Sequence, residues 1–237
     1  GVCCSCQAHS HVCDAQVDFV RFYDGLTAHS DDLNGMLIDI HPETPEERKI
    51  AQVAALLEKN GVIIIPTDSV YCFACALGSS KALEKMARIR DISLSEANFS
   101  LICKDLSQVS EYTAPVPQPT FKLMKRSLPG PFTFILNAGV QVPRLFRKSK
   151  REVGVRIPDH NIPKALVEAL GKPLVVSSVH GDSTDIEYMT DPGLVHEKYA
   201  AQVDAVVGGG IGHIEASTVI DCTENEAVVV RPGRGVL

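Results

Sequence analysis

From Ile38 onward, the hydrophobic and polar positions of the chain repeat with two different periods. Residues 45–59 show the helical period, with Ile50, Val53 and Leu56 on one face and Asn60-Gly61 as a stop signal. Short apolar runs such as 62–66 have the length and the β-branched content of buried strands. The same reasoning predicts further helices at 79–88, 118–126, 161–170 and 191–200, and further strands at 99–103, 132–136, 174–176, 203–207, 217–221 and 227–231. This alternation is typical of an α/β or α+β fold, a twisted mixed sheet with helices packed on it.

Residues 1–36 show neither period, and we interpret them as a flexible tail in front of one domain, residues 37–237. The tail is rich in potential metal ligands: Cys3, Cys4, Cys6, His9, His11 and Cys13. Because their spacing lacks the paired pattern of zinc sites, we expect no metal there. If a methionine preceded Gly1, the start would fit N-myristoylation beside palmitoylatable thiols. We expect a cytoplasmic protein, with a lipid-anchored protein or an organellar protein after transit-peptide removal as alternatives.

The composition is that of a globular protein: 45% of the 237 residues are hydrophobic, 22% are charged and the mean hydropathy is +0.06. The longest apolar runs fall far short of the roughly 20 residues that span a bilayer, so we expect no transmembrane segment. The 8 cysteines do not resemble the disulfide framework of a small secreted protein, and we interpret them as reduced. Cys72 and Cys75, three positions apart on an extended segment, would point to opposite faces as buried thiols.

The formal net charge is −6, which does not suggest a basic nucleic-acid-binding protein. The distribution is uneven, however. Residues 121–164 contain two acidic residues and ten basic ones: Lys122, Lys125, Arg126, Arg144, Arg147, Lys148, Lys150, Arg151, Arg156 and Lys164. This basic block indicates an anionic ligand or partner, although a solvated basic loop around 144–151 explains the same residues.

The common nucleotide and hydrolase signatures are absent, including the P-loop, the Gly-x-Ser-x-Gly elbow and His-Glu-x-x-His. Hydroxyl groups instead follow two predicted strands and begin a third: Thr67 and Ser69, around Asp68, follow the first, Ser177 follows the second, and Ser217 begins the third. Ligands of open α/β sheets bind at strand ends, although Thr, Asp and Ser are also ordinary turn residues. Three arginines, Arg88, Arg90 and Arg231, add planar groups that suit phosphate or carboxylate oxygens. Together these groups predict an anion site.

Several motifs occur in the order of one known family. They are Pro66-Thr67-Asp68-Ser69-Val70-Tyr71, Pro129-Gly130-Pro131, Gly154-Val155-Arg156-Ile157-Pro158, Ser177-Ser178, Ser217-Thr218-Val219-Ile220-Asp221 and Arg231-Pro232-Gly233. From about residue 38 to the end, the chain resembles the YrdC/YciO family, and the stretch around Arg88-Ile89-Arg90 resembles its YciO branch. The family includes threonylcarbamoyl-AMP synthases, nucleotidyltransferases that join L-threonine, bicarbonate and ATP for tRNA modification. The resemblance implies a twisted sheet with a large, concave, positively charged cavity.

The resemblance also implies roles for particular residues. Threonine and the carbonate-derived group would be held by Thr67, Ser69, Arg88, Arg90, Ser177 and Ser217, with Arg88 and Arg90 as the catalytic pair. The nucleotide would be bound by Arg90, Arg156, Ser177, His180 and Arg231, and Mg²⁺ would accompany the ATP phosphates. The chain departs from the synthase pattern at three positions, where Arg88, Cys103 and His180 stand for Lys, His and Asn. The alternative is a paralogue without catalysis that binds tRNA, double-stranded RNA or the ribosome; the oligomeric state is left open.

Overall fold

The computed structural model describes residues 35–94, 97–143, 151–179, 189–224 and 226–237. The helices in these ranges are α1 (Glu47–Glu58), α2 (Ser80–Ile89), α3 (Leu106–Tyr112), α4 (Gln118–Ser127), α5 (Asn161–Leu170) and α6 (Pro192–Tyr199). The strands are β1 (Met36–Asp39), β2 (Ile63–Ile65), β3 (Cys72–Ala76), β4 (Ser100–Ile102), β5 (Phe132–Asn137), β6 (Glu152–Arg156), β7 (Leu174–Ser178), β8 (Ala205–Gly208), β9 (Thr218–Asp221) and β10 (Val228–Arg231). The predicted mixed α/β fold is therefore confirmed.

Local sequence explains where several helices begin and end. Ser79, Asp105 and Asp191 each accept a hydrogen bond from a backbone N–H of the first turn, in α2, α3 and α6 respectively. These side chains satisfy amide groups that have no partner inside the helix. Gly171 ends α5 with a φ of 63°, a left-handed conformation that favours glycine.

The described strands form one mixed sheet in the order β1-β8-β2-β3-β7-β4-β6-β5-β9-β10. The neighbouring pairs β1/β8, β8/β2, β4/β6 and β5/β9 are parallel, and the other pairs are antiparallel. In the middle of the sheet, Ser100 of β4 lies opposite Val176 of β7 on one side and Gly154 of β6 on the other. This register decides which side chains share a face.

One face of the sheet is covered by α2, α3, α4 and α6. Each of these helices contributes a buried side chain to a single apolar cluster that also contains Phe73, Leu101 and Phe134 from the strands. The helix residues in that cluster include Met86, Val109, Met124 and Val195. This face therefore forms the larger part of the hydrophobic core.

The opposite face is covered only in part. Helices α1 and α5 pack Leu57 and Leu166 against strand residues such as Ile63 and Val207, forming a second apolar cluster. That cluster contains residues of β1, β2, β3, β4, β7 and β8 but none from β5, β6, β9 or β10. In the described chain, this face of β6, β5, β9 and β10 lacks a helical cover, and the candidate site lies there.

The sequence did not predict β1, β3, β6 or α3. Strand β3 reads Cys-Phe-Ala-Cys-Ala, β6 has a central glycine, and β1 and α3 are only 4 and 7 residues long, so none shows a clear period. Cys72 and Cys75 are free, buried and divided between the two clusters, as predicted. The domain boundary at residue 36 stays a prediction, because residues 1–34 lie outside the described part. In the described part, none of the helices has the length and hydropathy to cross a membrane.

Candidate functional site

The uncovered part of the sheet forms a cavity of about 320 Å³, which we call the site cavity. Its floor includes Ser100, Gly154 and Ile135, which are side by side on β4, β6 and β5. A Cβ at position 154 would be 2.6 Å from the Ser100 hydroxyl oxygen, so a larger residue there would force the Ser100 side chain to move. The described polar side chains that line the cavity belong to Cys72, Asn98, Ser100, Thr133, Glu152, Arg156, Ser177, Ser178, Ser217 and Arg231.

Four residues that were predicted as site residues meet in this cavity: Arg156, Ser177, Ser217 and Arg231. They come from β6, the end of β7, the residue before β9 and the end of β10. Their positions span more than 70 residues of sequence, and the sheet topology brings them to one concave surface. Whether they bind the ligands named above stays a prediction, as does the overall charge of the cavity.

Arg156 is almost completely buried, with 3% of its surface exposed. Its Nη2 donates to Asp68 Oδ1 at 2.9 Å and to Ser69 Oγ at 2.8 Å, and its Nη1 lies 3.9 Å from Cys72 Sγ. Strand β6 is the third strand beyond β3 in the sheet, so the contact with Cys72 requires a strongly curved sheet. The Nε group has no hydrogen-bond partner among the described residues. This N–H is buried and unpaired in a residue that lines the site cavity.

The turn after β2, residues 67–69, is closed by its own side chains. Thr67 donates its hydroxyl proton to the Val70 carbonyl and accepts the Ser69 amide. Because Thr67 has a single hydroxyl proton, the 3.1 Å contact between the two hydroxyls must use the proton of Ser69. Ser69 Oγ also accepts from Arg156. The Thr67 hydroxyl is thus saturated, while the Ser69 hydroxyl has spent its proton and keeps one acceptor lone pair. A ligand that accepted a hydrogen bond from either hydroxyl would have to replace an internal bond.

Ser217 is held from two sides. Its hydroxyl oxygen is 2.7 Å from that of Thr133, and its carbonyl accepts a hydrogen bond from Arg231 Nη2 at 2.8 Å. Partial burial lowers the pKa of Arg231 from its ordinary value, and the neighbouring charge of Arg156 lowers it further. Arginine nevertheless stays protonated in proteins. Two guanidinium groups therefore line one cavity, and Arg231, unlike Arg156, has no acidic partner among the described ion pairs.

The remaining predicted residues are placed elsewhere or lie outside the described part. Arg88 is exposed in the last turn of α2, and Arg90 follows as its C-cap; neither is among the residues that line the cavities described here. Cys103 is buried just after β4, and burial raises the pKa of its thiol to about 12, so the thiol stays protonated at neutral pH. His180 lies outside the described residues.

A second cavity of about 670 Å³ is lined by Thr67, Asp68, His160 and Arg234, among others. Asp68 and Arg156 form the buried ion pair described above, with Asp68 lining this cavity and Arg156 lining the site cavity. His160 caps α5 by accepting the Ile162 amide at Nδ1, and burial lowers the pKa of its imidazole. The neutral imidazole is therefore favoured, which keeps Nδ1 available as an acceptor.

Sequence reasoning did not single out Thr133, Ser100 or Glu152 as site residues, although all three line the site cavity. Ser100 and Thr133 interrupt otherwise apolar strands, and that interruption was the available signal. It could be interpreted only once the strand register had shown that both positions face the uncovered side of the sheet.

Comparison with known proteins gives relatives over most of the chain. YciO of Escherichia coli, described as an uncharacterized protein, is 39% identical over 197 residues, which are 83% of this chain and 94% of YciO. The crystal structure of E. coli YciO matches with a TM-score of 0.78 and 37% identity, covering 85% of this chain and 97% of YciO.

Synthases of known activity are more distant. A threonylcarbamoyl-AMP synthase of Bacillus subtilis is 30% identical over 203 residues, 83% of this chain and 57% of the synthase. P. abyssi Sua5, crystallised with L-threonine, matches with a TM-score of 0.75 and 26% identity over 84% of this chain and 57% of Sua5. A family model for Sua5, YciO and YrdC, described as telomere recombination, matches residues 55–233. The resemblance in the motifs is thereby confirmed: the chain belongs to the Sua5/YciO/YrdC family.

Proposed function

We propose that this protein is a threonylcarbamoyl-AMP synthase-like nucleotidyltransferase that condenses L-threonine, bicarbonate and ATP, with pyrophosphate as the second product, for threonylcarbamoyladenosine formation in tRNA. The observation that carries the proposal is the site cavity, where Arg156, Arg231, Ser177 and Ser217 meet on the uncovered face of the sheet. Relatives named as synthases of this reaction, and a relative crystallised with L-threonine, support it.

The chemistry suits these residue types. The amine of threonine and bicarbonate form a carbamate with loss of one water. The carbamate is an anion whose oxygen attacks the α-phosphorus of ATP while pyrophosphate leaves. The attacking oxygen carries no proton, so the phosphoryl step needs no strong general base. The protein must orient three small reactants and supply fixed positive charge near the phosphates. Arg231 would provide that charge, and the serine hydroxyls would provide directional hydrogen bonds.

Magnesium would arrive as part of the ATP complex. Glu152 is the single carboxylate among the described residues that line the site cavity, and the described chain contains no cluster of three or more potential metal ligands. These residues do not form a resident magnesium site of their own, and we assign no step to a protein-bound metal.

The proposal is tested by mass spectrometry of the purified protein incubated with ATP, Mg²⁺, bicarbonate and each amino acid in turn. We expect a carbamoyl adenylate and pyrophosphate that appear only with threonine. Arg231→Ala should lower the rate by about 10- to 100-fold, the usual range for losing a hydrogen bond to a charged group. Arg234→Ala is the matched control, because Arg234 is an exposed guanidinium that bonds to His213 outside the site cavity. Absence of an adenylate with every amino acid would refute the proposal.

A second candidate function is RNA binding without catalysis. Lys122, Lys125 and Arg126 are exposed on α4, which packs on the face opposite the site cavity. Arg156, from the same basic block, is buried in the cavity. The described part of the block is therefore divided between two faces. This candidate would be favoured if no adenylate forms and the affinity for double-stranded RNA falls steeply as the salt concentration rises. Changing the three exposed residues to Gln should then make that salt dependence less steep.

A further inference from the structure

Thr133 and Ser217 form a buried pair of hydroxyl groups on the floor of the site cavity. Their oxygens are 2.7 Å apart, Thr133 is 6% exposed and Ser217 is 4% exposed, and both residues line the cavity. Two hydroxyls carry two protons, and the bond between them uses one. The pair therefore retains one O–H that can be donated to a ligand.

The two members of the pair differ in how firmly the backbone holds them. Thr133 lies inside β5, between β6 and β9, and its β-branched side chain has restricted χ1 rotation. Ser217 precedes β9, and its unbranched side chain can rotate among three staggered positions. The Thr133 hydroxyl is thus the fixed partner, and the bond selects the Ser217 rotamer that faces the cavity.

The backbone of Ser217 is fixed at the same place. Its carbonyl accepts from Arg231 Nη2 at 2.8 Å, so the arginine and the hydroxyl pair occupy adjacent positions on the floor. Thr218, the next residue, points the other way: its hydroxyl donates to the Gly235 carbonyl at 2.7 Å, and its side chain does not line the site cavity.

We infer that Thr133 is a positioning residue, which orients the Ser217 hydroxyl toward the amino acid, the ligand that the family resemblance implies for Ser217, while Arg231 serves the nucleotide, as the same resemblance implies. This inference rests on the proposed function, because it assigns a new residue to the same site. Thr133 acts through Ser217, so its loss should weaken the use of the amino acid more than the use of ATP.

The test compares Thr133→Val, Thr133→Ser and Thr218→Val in the full chain. Thr133→Val keeps the shape of the side chain but removes the hydroxyl. We expect the KM for L-threonine to rise about tenfold, with the KM for ATP within about twofold of the original value. Thr133→Ser should restore the threonine KM to within about threefold. Thr218→Val removes the hydroxyl of another buried threonine, which does not line the site cavity, and should leave both KM values unchanged.

Two results would overturn the inference while the proposed function stands. One is an unchanged threonine KM in Thr133→Val. The other is an equal loss for threonine and ATP that Thr133→Ser does not restore, since that would show a general structural role. If the original protein forms no adenylate, the proposed function fails, and calorimetry with L-threonine decides the inference: weaker binding by Thr133→Val supports it, and equal binding or no binding by any variant overturns it.

Discussion

Two parts of the same sheet face differ in whether a helix covers them. Over β1, β8, β2 and β3, helices α1 and α5 cover the face, and the strands present Ile63, Ile65, Ala74 and Val207, all fully buried. Over β6, β5 and β9 the described chain provides no helix, and the face presents Gly154, Thr133 and Val219 around Arg156. One part is hydrophobic core and the other is a cavity, although the same strand alternation produces both.

The difference shows what a helical cover does. A covered strand can present large β-branched side chains because the helix supplies apolar partners. An uncovered face of the same sheet remains in contact with solvent or ligand, so small and polar side chains are favoured there. The buried Asp68–Arg156 ion pair lies where the 67–69 turn of the covered part meets the open part. Variants that alter these groups test the comparison directly.

The largest expected effect comes from Arg156→Leu. The substitution leaves Asp68, which is 8% exposed at its side chain, without its ionic partner. Removing one member of a buried ion pair typically costs about 3–5 kcal/mol of the free energy of unfolding. Chemical denaturation monitored by circular dichroism measures it.

The control for Arg156→Leu is the double variant Asp68→Asn/Arg156→Leu. Because no uncompensated charge remains in that variant, it should recover more than half of the lost stability. Equal stability of the single and double variants would show that packing of the arginine stem, and not the charge pair, joins the two parts of the sheet.

The next largest effect is a difference in unfolding free energy between two isoleucine truncations, one in each part of the face. Ile63 is fully buried under α1 and α5, while Ile135 is partly exposed on the cavity floor. Ile63→Ala should cost about 2–5 kcal/mol of unfolding free energy, because it removes buried contacts and leaves a void. Ile135→Ala should cost less than about 1 kcal/mol, since solvent can fill the space. Similar losses, measured by urea denaturation, would contradict the view that the open part is not core.

Much of this comparison could be predicted from sequence. The helices at 45–59 and 161–170 have one apolar face each, and the structure has α1 and α5 there. Of the hydroxyls and arginines from which the sequence predicts an anion site, Ser177, Ser217 and Arg231 line one cavity in the structure, and anion binding there stays a prediction. Local periodicity and turn chemistry carry this information, because they depend on residues close in sequence.

Other features depend on tertiary structure that no local pattern encodes. The partnership of Arg156 with Asp68 joins residues 88 positions apart, and the Thr133–Ser217 bond joins residues 84 positions apart. The use of both hydroxyl protons of Thr67 and Ser69 inside their own turn also becomes visible only with the hydrogen bonds in place. Sequence showed which groups carry chemistry, but the strand order was needed to show which groups face the cavity.

The smallest predicted effect concerns pH and the helix at the boundary of the two parts. His160 caps α5 through Nδ1, and burial lowers the pKa of its imidazole, although Asp68, Glu43 and Asp159 oppose that shift. The folded protein therefore binds the proton less readily than the unfolded chain, whose histidine pKa is about 6.5. Stability from this group is present above that value and is lost as the pH falls through and below it.

The measurement is the unfolding free energy of the original protein and of His160→Asn at pH 7.5 and pH 5.5. Asparagine is a good N-cap that does not titrate, so the variant should keep the helix start and lose this part of the pH dependence. The original protein should lose about 1 kcal/mol more than the variant between the two pH values, the typical contribution of an N-cap bond. Equal losses would mean that α5 keeps its first turn when His160 is protonated. The covering helix would then not depend on this cap.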